Sequence, residues 1–104
     1  MLTFLKNLMN PEQIDVASLL KDGAMVIDVR SPQEFAEGHA TGSVNIPLGS
    51  LPNHIKEIQQ QNKVVITCCR SGARAGSATT TLKQAGIETY NAGTWNAVQA
   101  AAKA

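Results

Sequence analysis

Two adjacent cysteines, Cys68 and Cys69, and three arginines, Arg30, Arg70 and Arg74, carry most of the chemistry open to this chain. Two of those arginines follow Cys69 closely, in the run Cys69-Arg70-Ser71-Gly72-Ala73-Arg74. A thiolate is the reactive form of cysteine, and nearby cations or the amides at a helix N-terminus favour it. A guanidinium offers oxyanions a planar fork that an ammonium lacks. The run therefore suits an anionic substrate or leaving group, with Cys69 as nucleophile and Arg70, Ser71, Gly72, Ala73 and Arg74 as its binding collar. Gly72 allows the backbone to curl so that amides converge. Alone, Cys69 would read as an inert, buried small hydrophobe. The arginines, the glycine and the helix expected after them favour the reactive reading, with the thiol at the rim of a loop. Cys68, one residue earlier, should point to the other side of its strand and belong to the core, a resolving thiol being the alternative.

The elements that must position this run follow from hydrophobic patterning. Ile14, Val16, Leu19 and Leu20 behind an N-cap at Asp15 predict a short helix ended by Asp22-Gly23. Met25-Val26-Ile27 reads as a strand buried on both faces that delivers Asp28 and Arg30 at its carboxyl end. Ser31 as N-cap, Pro32 at the first position and Glu34 in the first turn open a helix that Gly38 closes. Ser43–Ile46 suits a brief edge strand stopped by Pro47, and Ser50 should cap a helix over Pro52–Gln61 with Leu51, Ile55 and Ile58 on its apolar stripe. The β-branched run Val64–Thr67 is the second buried strand and leads straight into the cysteines. Ala75, Ala78, Leu82 and Ala85 keep helical spacing up to Gly86; a strand over Ile87–Tyr90 and a helix over Trp95–Ala104 finish the chain. Strands alternating with helices predict an α/β fold, an open parallel sheet of about five strands with helices on both faces. Ligands of such sheets bind outside the carboxyl ends of the strands, where Cys69 falls.

Composition sets the bounds. The 104 residues fit one domain, and 43% hydrophobic against 16% charged residues argues for a packed core. A net charge of +1 gives no field to attract nucleic acid or an anionic membrane, and no apolar run approaches the roughly 18–20 residues of a membrane span. Two adjacent cysteines exclude a disulfide framework, so the chain reads as cytoplasmic with reduced thiols. Met1–Asn10, with Leu2, Phe4, Leu5, Leu8 and Met9 broken by Lys6, reads as an amphipathic lead-in rather than a secretory signal. His39 and His54 have no second ligand at metal-like spacing and are taken as structural or solvated. Asp28 and Arg30 read as supporting residues, salt-bridged to the loop or to Glu34. Trp95 could line the mouth of the site, although anchoring the last helix is the plainer reading.

The ordered motifs Val26-Ile27-Asp28-Val29-Arg30, Glu34-Phe35, Gly38-His39, Gly42-Ser43-Val44-Asn45-Ile46-Pro47, Cys69–Arg74, and Gly86-Ile87 leading to Ala92-Gly93-Thr94-Trp95 resemble those of single-domain rhodaneses. The likeness spans roughly Ile14 to Val98. Ala40, Ala92 and Cys68 depart from the usual residues at their positions. The resemblance implies a sulfurtransferase in which Cys69 takes the outer sulfur of an anionic donor such as thiosulfate, becomes a persulfide, and passes the sulfur to a thiol or a thioredoxin-like protein. Amides from Arg70 to Arg74 would hold the persulfide, and Arg70 and Arg74 the donor's oxyanion. No metal and no organic cofactor are implied. Two alternatives stand beside it. One is a non-catalytic persulfide carrier or docking module. The other is a cysteine-dependent phosphatase or arsenate reductase, whose loop carries one residue more between cysteine and arginine than the four here, and whose chemistry wants a general acid.

Overall fold

A computed structural model describes residues 14–103. The lead-in expected over Met1–Asn10 lies outside the described residues, as does Ala104. Asp15 caps α1 (Val16–Lys21), its carboxylate accepting from the Ser18 N–H at 3.0 Å and from the Ser18 hydroxyl at 2.8 Å. Gly23, at φ +93°, then turns the chain into β1 (Met25–Asp28). A complete capping box opens α2 (Pro32–Glu37): the Ser31 hydroxyl accepts from the Glu34 N–H, and the Glu34 carboxylate accepts from the Ser31 N–H. Strand β2 is only Val44–Asn45.

The helix expected over Pro52–Gln61 begins differently. A 3-10 helix runs from Leu48 to His54, and regular α3 spans Ile55–Gln61. Ser50 gives no side-chain cap; its N–H instead bonds to Pro47 O at 2.8 Å, the tighter turn, and Pro52 sits inside it. The apolar stripe survives the change, with Leu51 and Ile58 buried. Strand β3 (Val65–Cys69) continues two residues beyond Thr67, so both cysteines lie within the strand. Then come α4 (Ala73–Gln84), β4 (Thr89–Thr94) and α5 (Trp95–Ala102). Strand β4 starts later and ends later than Ile87–Tyr90, because Val65 N–H takes Glu88 O and pairing with β3 carries on to Thr94.

The sheet is open and wholly parallel, in the order β2-β1-β3-β4. It has four strands among the described residues rather than about five, because helices and turns occupy every segment between them. Alternation along the strands divides the interior into two clusters. One face buries Ile27, Val65 and Cys69 against Leu51, Ile58, Ala75, Ala78 and Leu82, from the 3-10 helix, α3 and α4. The other buries Val26, Ile66 and Cys68 against Val98, with Val16, Leu19 and Leu20 packed beside it, from α5 and α1. Each fully buried Leu or Ile contributes about 1.5–3 kcal/mol. The three threonines of α4 are weak helix formers, and tertiary contact compensates: Thr79 is buried, its hydroxyl 2.7 Å from that of Thr67 on β3.

Candidate active site

Strand order reverses between β1 and β3, which leaves a crevice at their carboxyl ends. Asp28 ends β1, Cys69 ends β3, and the backbone from Arg70 to Gly72 turns directly into α4. Cys69 Sγ accepts the N–H of Gly72 at 2.9 Å and that of Ala75 at 3.4 Å. Both donors belong to the start of α4, Gly72 as its N-cap and Ala75 in its first turn, where amides have no partner within the helix. The helix dipole adds its positive end at the same spot. The sulfur therefore sits where negative charge is favoured.

Two features differ from the expected collar. Of the span Arg70 to Arg74, only Gly72 donates to the sulfur; the second donor, Ala75, lies one residue beyond it. The expected rim position is also corrected, since Cys69 is 0% exposed and packed within the core cluster. The extra strand residues explain this: Cys69 still pairs with β4, opposite Thr94, so its side chain turns into the sheet face. Arg70, Ser71 and Ala73 are exposed, while Gly72 and Arg74 are half-buried.

Arg74 makes a two-pronged ion pair with Glu34, Nη1 to Oε1 at 2.7 Å and Nη2 to Oε2 at 3.0 Å. Glu34 also completes the α2 cap, so one carboxylate ties α2 to the first turn of α4. The Arg74 guanidinium beside it, with the Ser31 backbone N–H, holds the Glu34 carboxyl down at about 2 against an ordinary 4.5. Arg74 thus fastens the loop and is not free to meet a donor's oxyanion in this conformation.

Asp28 and Arg30 are paired with one another, not with the loop and not with the Glu34 carboxylate. Arg30 Nε and Nη2 donate to Asp28 at 2.9 and 2.7 Å, and Nη2 also donates to Gly38 O at 2.7 Å. Its one link to Glu34 is through the backbone carbonyl, at 3.3 Å. Both residues are buried, and the guanidinium lies 5.1 Å from the centroid of the Trp95 ring. Arg30, Glu34, Glu37, Gly38, Arg70 and Trp95 line a cleft of about 250 Å³ beside the loop. Trp95 packs against the cluster that holds Val98 of α5, as the plainer reading expects, and it also lines this cleft.

Asn91 escaped the sequence reading. Its Nδ2 donates to Gly72 O at 3.2 Å while its Oδ1 accepts the Gly93 N–H at 2.8 Å, and β4 carries one extra residue against β3 there. Gly72 (φ +99°) packs on Gly93 (φ +83°), whose Cα would lie 3.4 Å from a Cβ at Gly72. The signal was present in Asn-Ala-Gly near a strand end, the composition of a bulge. Cys68 occupies the other face, where burial, with the Asp28 charge adding to it, pushes its thiol up to about 12. His39 is exposed, stacked on Phe35 and bonded to its carbonyl; His54 pairs with Glu57. Among the described residues no group of His, Cys, Asp and Glu could hold a metal ion.

The chain is a four-stranded parallel α/β domain with a cysteine under helix-terminal amides at the switch point of its sheet. The family model described as a rhodanese-like domain matches residues 12–101, and the chain belongs to the rhodanese family of sulfurtransferases. It is 35% identical over 80 residues to thiosulfate sulfurtransferase 16, chloroplastic, of Arabidopsis thaliana, covering 66% of this chain and 67% of that one. To the uncharacterized protein YqhL of Bacillus subtilis it is 44% identical over 69 residues, 65% of this chain, and it spans about half (54%) of that relative's length. The human single-domain sulfurtransferase TSTD1 superposes with a TM-score of 0.68 at 27% identity, over 80% of this chain and 88% of that one.

Proposed function

We propose that this protein is a thiosulfate sulfurtransferase working through a persulfide on Cys69. The observation that carries the reading is the pair of amides, Gly72 and Ala75, directed at Cys69 Sγ. In the first step the Cys69 thiolate attacks the outer sulfur of thiosulfate; the S–S bond breaks, sulfite leaves with the bonding pair, and Cys69 becomes a persulfide anion. Sulfite is a stable anion and needs no general acid, which agrees with a loop that holds amides and arginines and no carboxylic acid. In the second step an acceptor removes the outer sulfur and restores the thiolate: cyanide gives thiocyanate, a thiol gives its own persulfide. Fixed amides favour the negative charge in both states without reorganising. Arg70, exposed beside the nucleophile, meets the donor's oxyanion, and Ser71 and Ala73 supply the outward turn of the loop. Asp28 and Arg30 support the wall, and Arg74 joins the donor only if Glu34 releases it.

Two free thiols support a reducing, cytoplasmic setting, with a small anionic sulfur donor and a thiol or thioredoxin-like acceptor as partners. Burial of Cys69 supports a second reading, a persulfide carrier that a partner must open, with little turnover on small donors. Thiosulfate with cyanide separates them: the enzyme reading expects thiocyanate at many turnovers, the carrier a single sulfur adduct of about 32 Da on the intact protein. Absence of both from the unaltered chain, or persistence of the adduct in Cys69→Ser, overturns the persulfide altogether.

A further inference from the structure

Gly72 is the residue on which the site turns. Its N–H meets Cys69 Sγ at 2.9 Å, and its carbonyl accepts the Gly76 N–H at 2.8 Å as α4 begins. A φ of +99° is open to glycine at little cost. The same freedom works against a fixed donor: with no side chain to pack, the Gly72 backbone is held only by what bonds to it. Asn91 supplies that hold from β4. Its Nδ2 donates to Gly72 O at 3.2 Å while its Oδ1 accepts the Gly93 N–H at 2.8 Å, so a partner at each end fixes which way the amide faces. Asn91 lies opposite Thr67, just before the register slips and Cys69 meets Thr94, so the anchor stands on the strand beside the one that carries the nucleophile. Among the described residues, apart from Cys69, no other side chain bonds to the backbone from Arg70 to Gly72.

Resting on the persulfide reading above, we propose that Asn91 is a positioning residue for sulfur transfer: by gripping the Gly72 carbonyl from β4 it keeps the Gly72 N–H directed at the Cys69 sulfur. Asn91 bonds to Gly72 and Gly93, not to the sulfur, and acts through Gly72 alone. A donor fixed in advance favours negative charge on the sulfur without reorganising, whereas a loose one must be ordered at each turnover. The effect therefore falls on the rate at which the S–S bond of the donor breaks and not on how tightly the donor binds. The amide is needed as an amide. An aspartate of the same size would still accept the Gly93 N–H, but at neutral pH it has no proton to offer Gly72 O and would set a carboxylate oxygen against that carbonyl.

The test follows single-turnover formation of the adduct of about one sulfur, by intact mass, over a range of thiosulfate concentrations in the full chain, Asn91→Ala and Asn91→Asp. Asn91→Ala should lower the saturating rate by about three- to ten-fold, the rate equivalent of one hydrogen bond. Its half-saturating thiosulfate concentration should stay within about two-fold of the parent's, as expected when the lost interaction serves the transition state alone. Asn91→Asp should lower the saturating rate at least as far as Asn91→Ala, although it keeps the contact to Gly93. Because it preserves size and the bulge contact, Asn91→Asp carries the test by itself if Asn91→Ala does not fold. A saturating rate in Asn91→Asp equal to the parent's would make Asn91 an anchor of the bulge only, and a change in Asn91→Ala confined to the half-saturating concentration would make it a donor contact; either overturns the proposal. No adduct on the unaltered chain is a different outcome, which rejects the persulfide reading itself and this proposal with it.

Discussion

Cys68 and Cys69 share a peptide bond, and both are fully buried, yet the sheet gives them different surroundings. Cys69 faces the helix-covered side where α4 begins, and two amide N–H groups reach its sulfur. Cys68 faces α5, among Val26, Ile66 and Val98, and feels the Asp28 carboxylate across the strand pair. Burial is common to both; what separates them is whether the buried sulfur has donors able to hold a negative charge. Desolvation alone drives a thiol toward its neutral form, and hydrogen-bond donors or positive charge beside the sulfur oppose that penalty.

The comparison breaks most visibly on substitution of the two thiols. Cys69→Ser should reduce thiocyanate formation from thiosulfate and cyanide by about 10³-fold or more, as loss of a nucleophile does. Cys68→Ala should keep turnover within about two-fold and cost about 1 kcal/mol of stability in urea unfolding. Equal loss of activity in both would show that the two faces are not chemically distinct.

Next in size is Asp28→Asn. It leaves the Arg30 guanidinium buried without its counter-charge, so unfolding free energy should fall by about 3–5 kcal/mol. The same change removes a charge that opposes ionisation of Cys68, so in a variant that still folds, the ultraviolet thiolate signal of Cys68 should emerge at lower pH than in the parent.

Titration sharpens the contrast further. In the folded chain Cys68 ionises only at about 12, against 9.0 ordinarily. Above pH 9 the unfolded chain gains a thiolate that the folded chain does not, so stability should decline as pH rises from 9 toward 12. Cys68→Ala should make that decline shallower in a series of urea melts.

The smallest effect belongs to the tie beside Cys69. Glu34 is held at about 2 against 4.5. Its stabilising contribution is complete above pH 4.5 and is lost as pH falls toward 2. Glu34→Gln should therefore unfold at lower temperature than the parent at pH 7, and the two curves should converge near pH 2.

Local signals in the sequence were enough for the elements near the site. Asp15, Ser31 with Pro32 and Glu34, and Gly86 place caps and stops where they are found, because capping chemistry is written within a few neighbouring residues. Opposite placement of Cys68 and Cys69 follows from strand alternation alone. Long-range geometry was not legible. Which amides meet the sulfur depends on where α4 starts, and that the cysteines lie inside β3 depends on pairing with Thr94. The ties of Arg30 to Asp28 and of Arg74 to Glu34 are choices among several carboxylates that spacing does not rank. Asn91 acts across the sheet edge on a loop far from it in the chain, and no nearby residue announces that contact.

The bulge in β4 has a consequence for how such a domain can diversify. Asn91 grips the loop by a carbonyl, and the sulfur is met by amides, so side chains at Ser71 and Ala73 point outward without bearing on either contact. The contacts to the Cys69 sulfur come from main-chain N–H groups, so loop side chains do not make them, although Gly72, with a φ of +99°, still favours glycine. Those two exposed positions, Ser71 and Ala73, are consequently open to replacement by larger or charged groups while the main-chain contacts to the sulfur stay as they are.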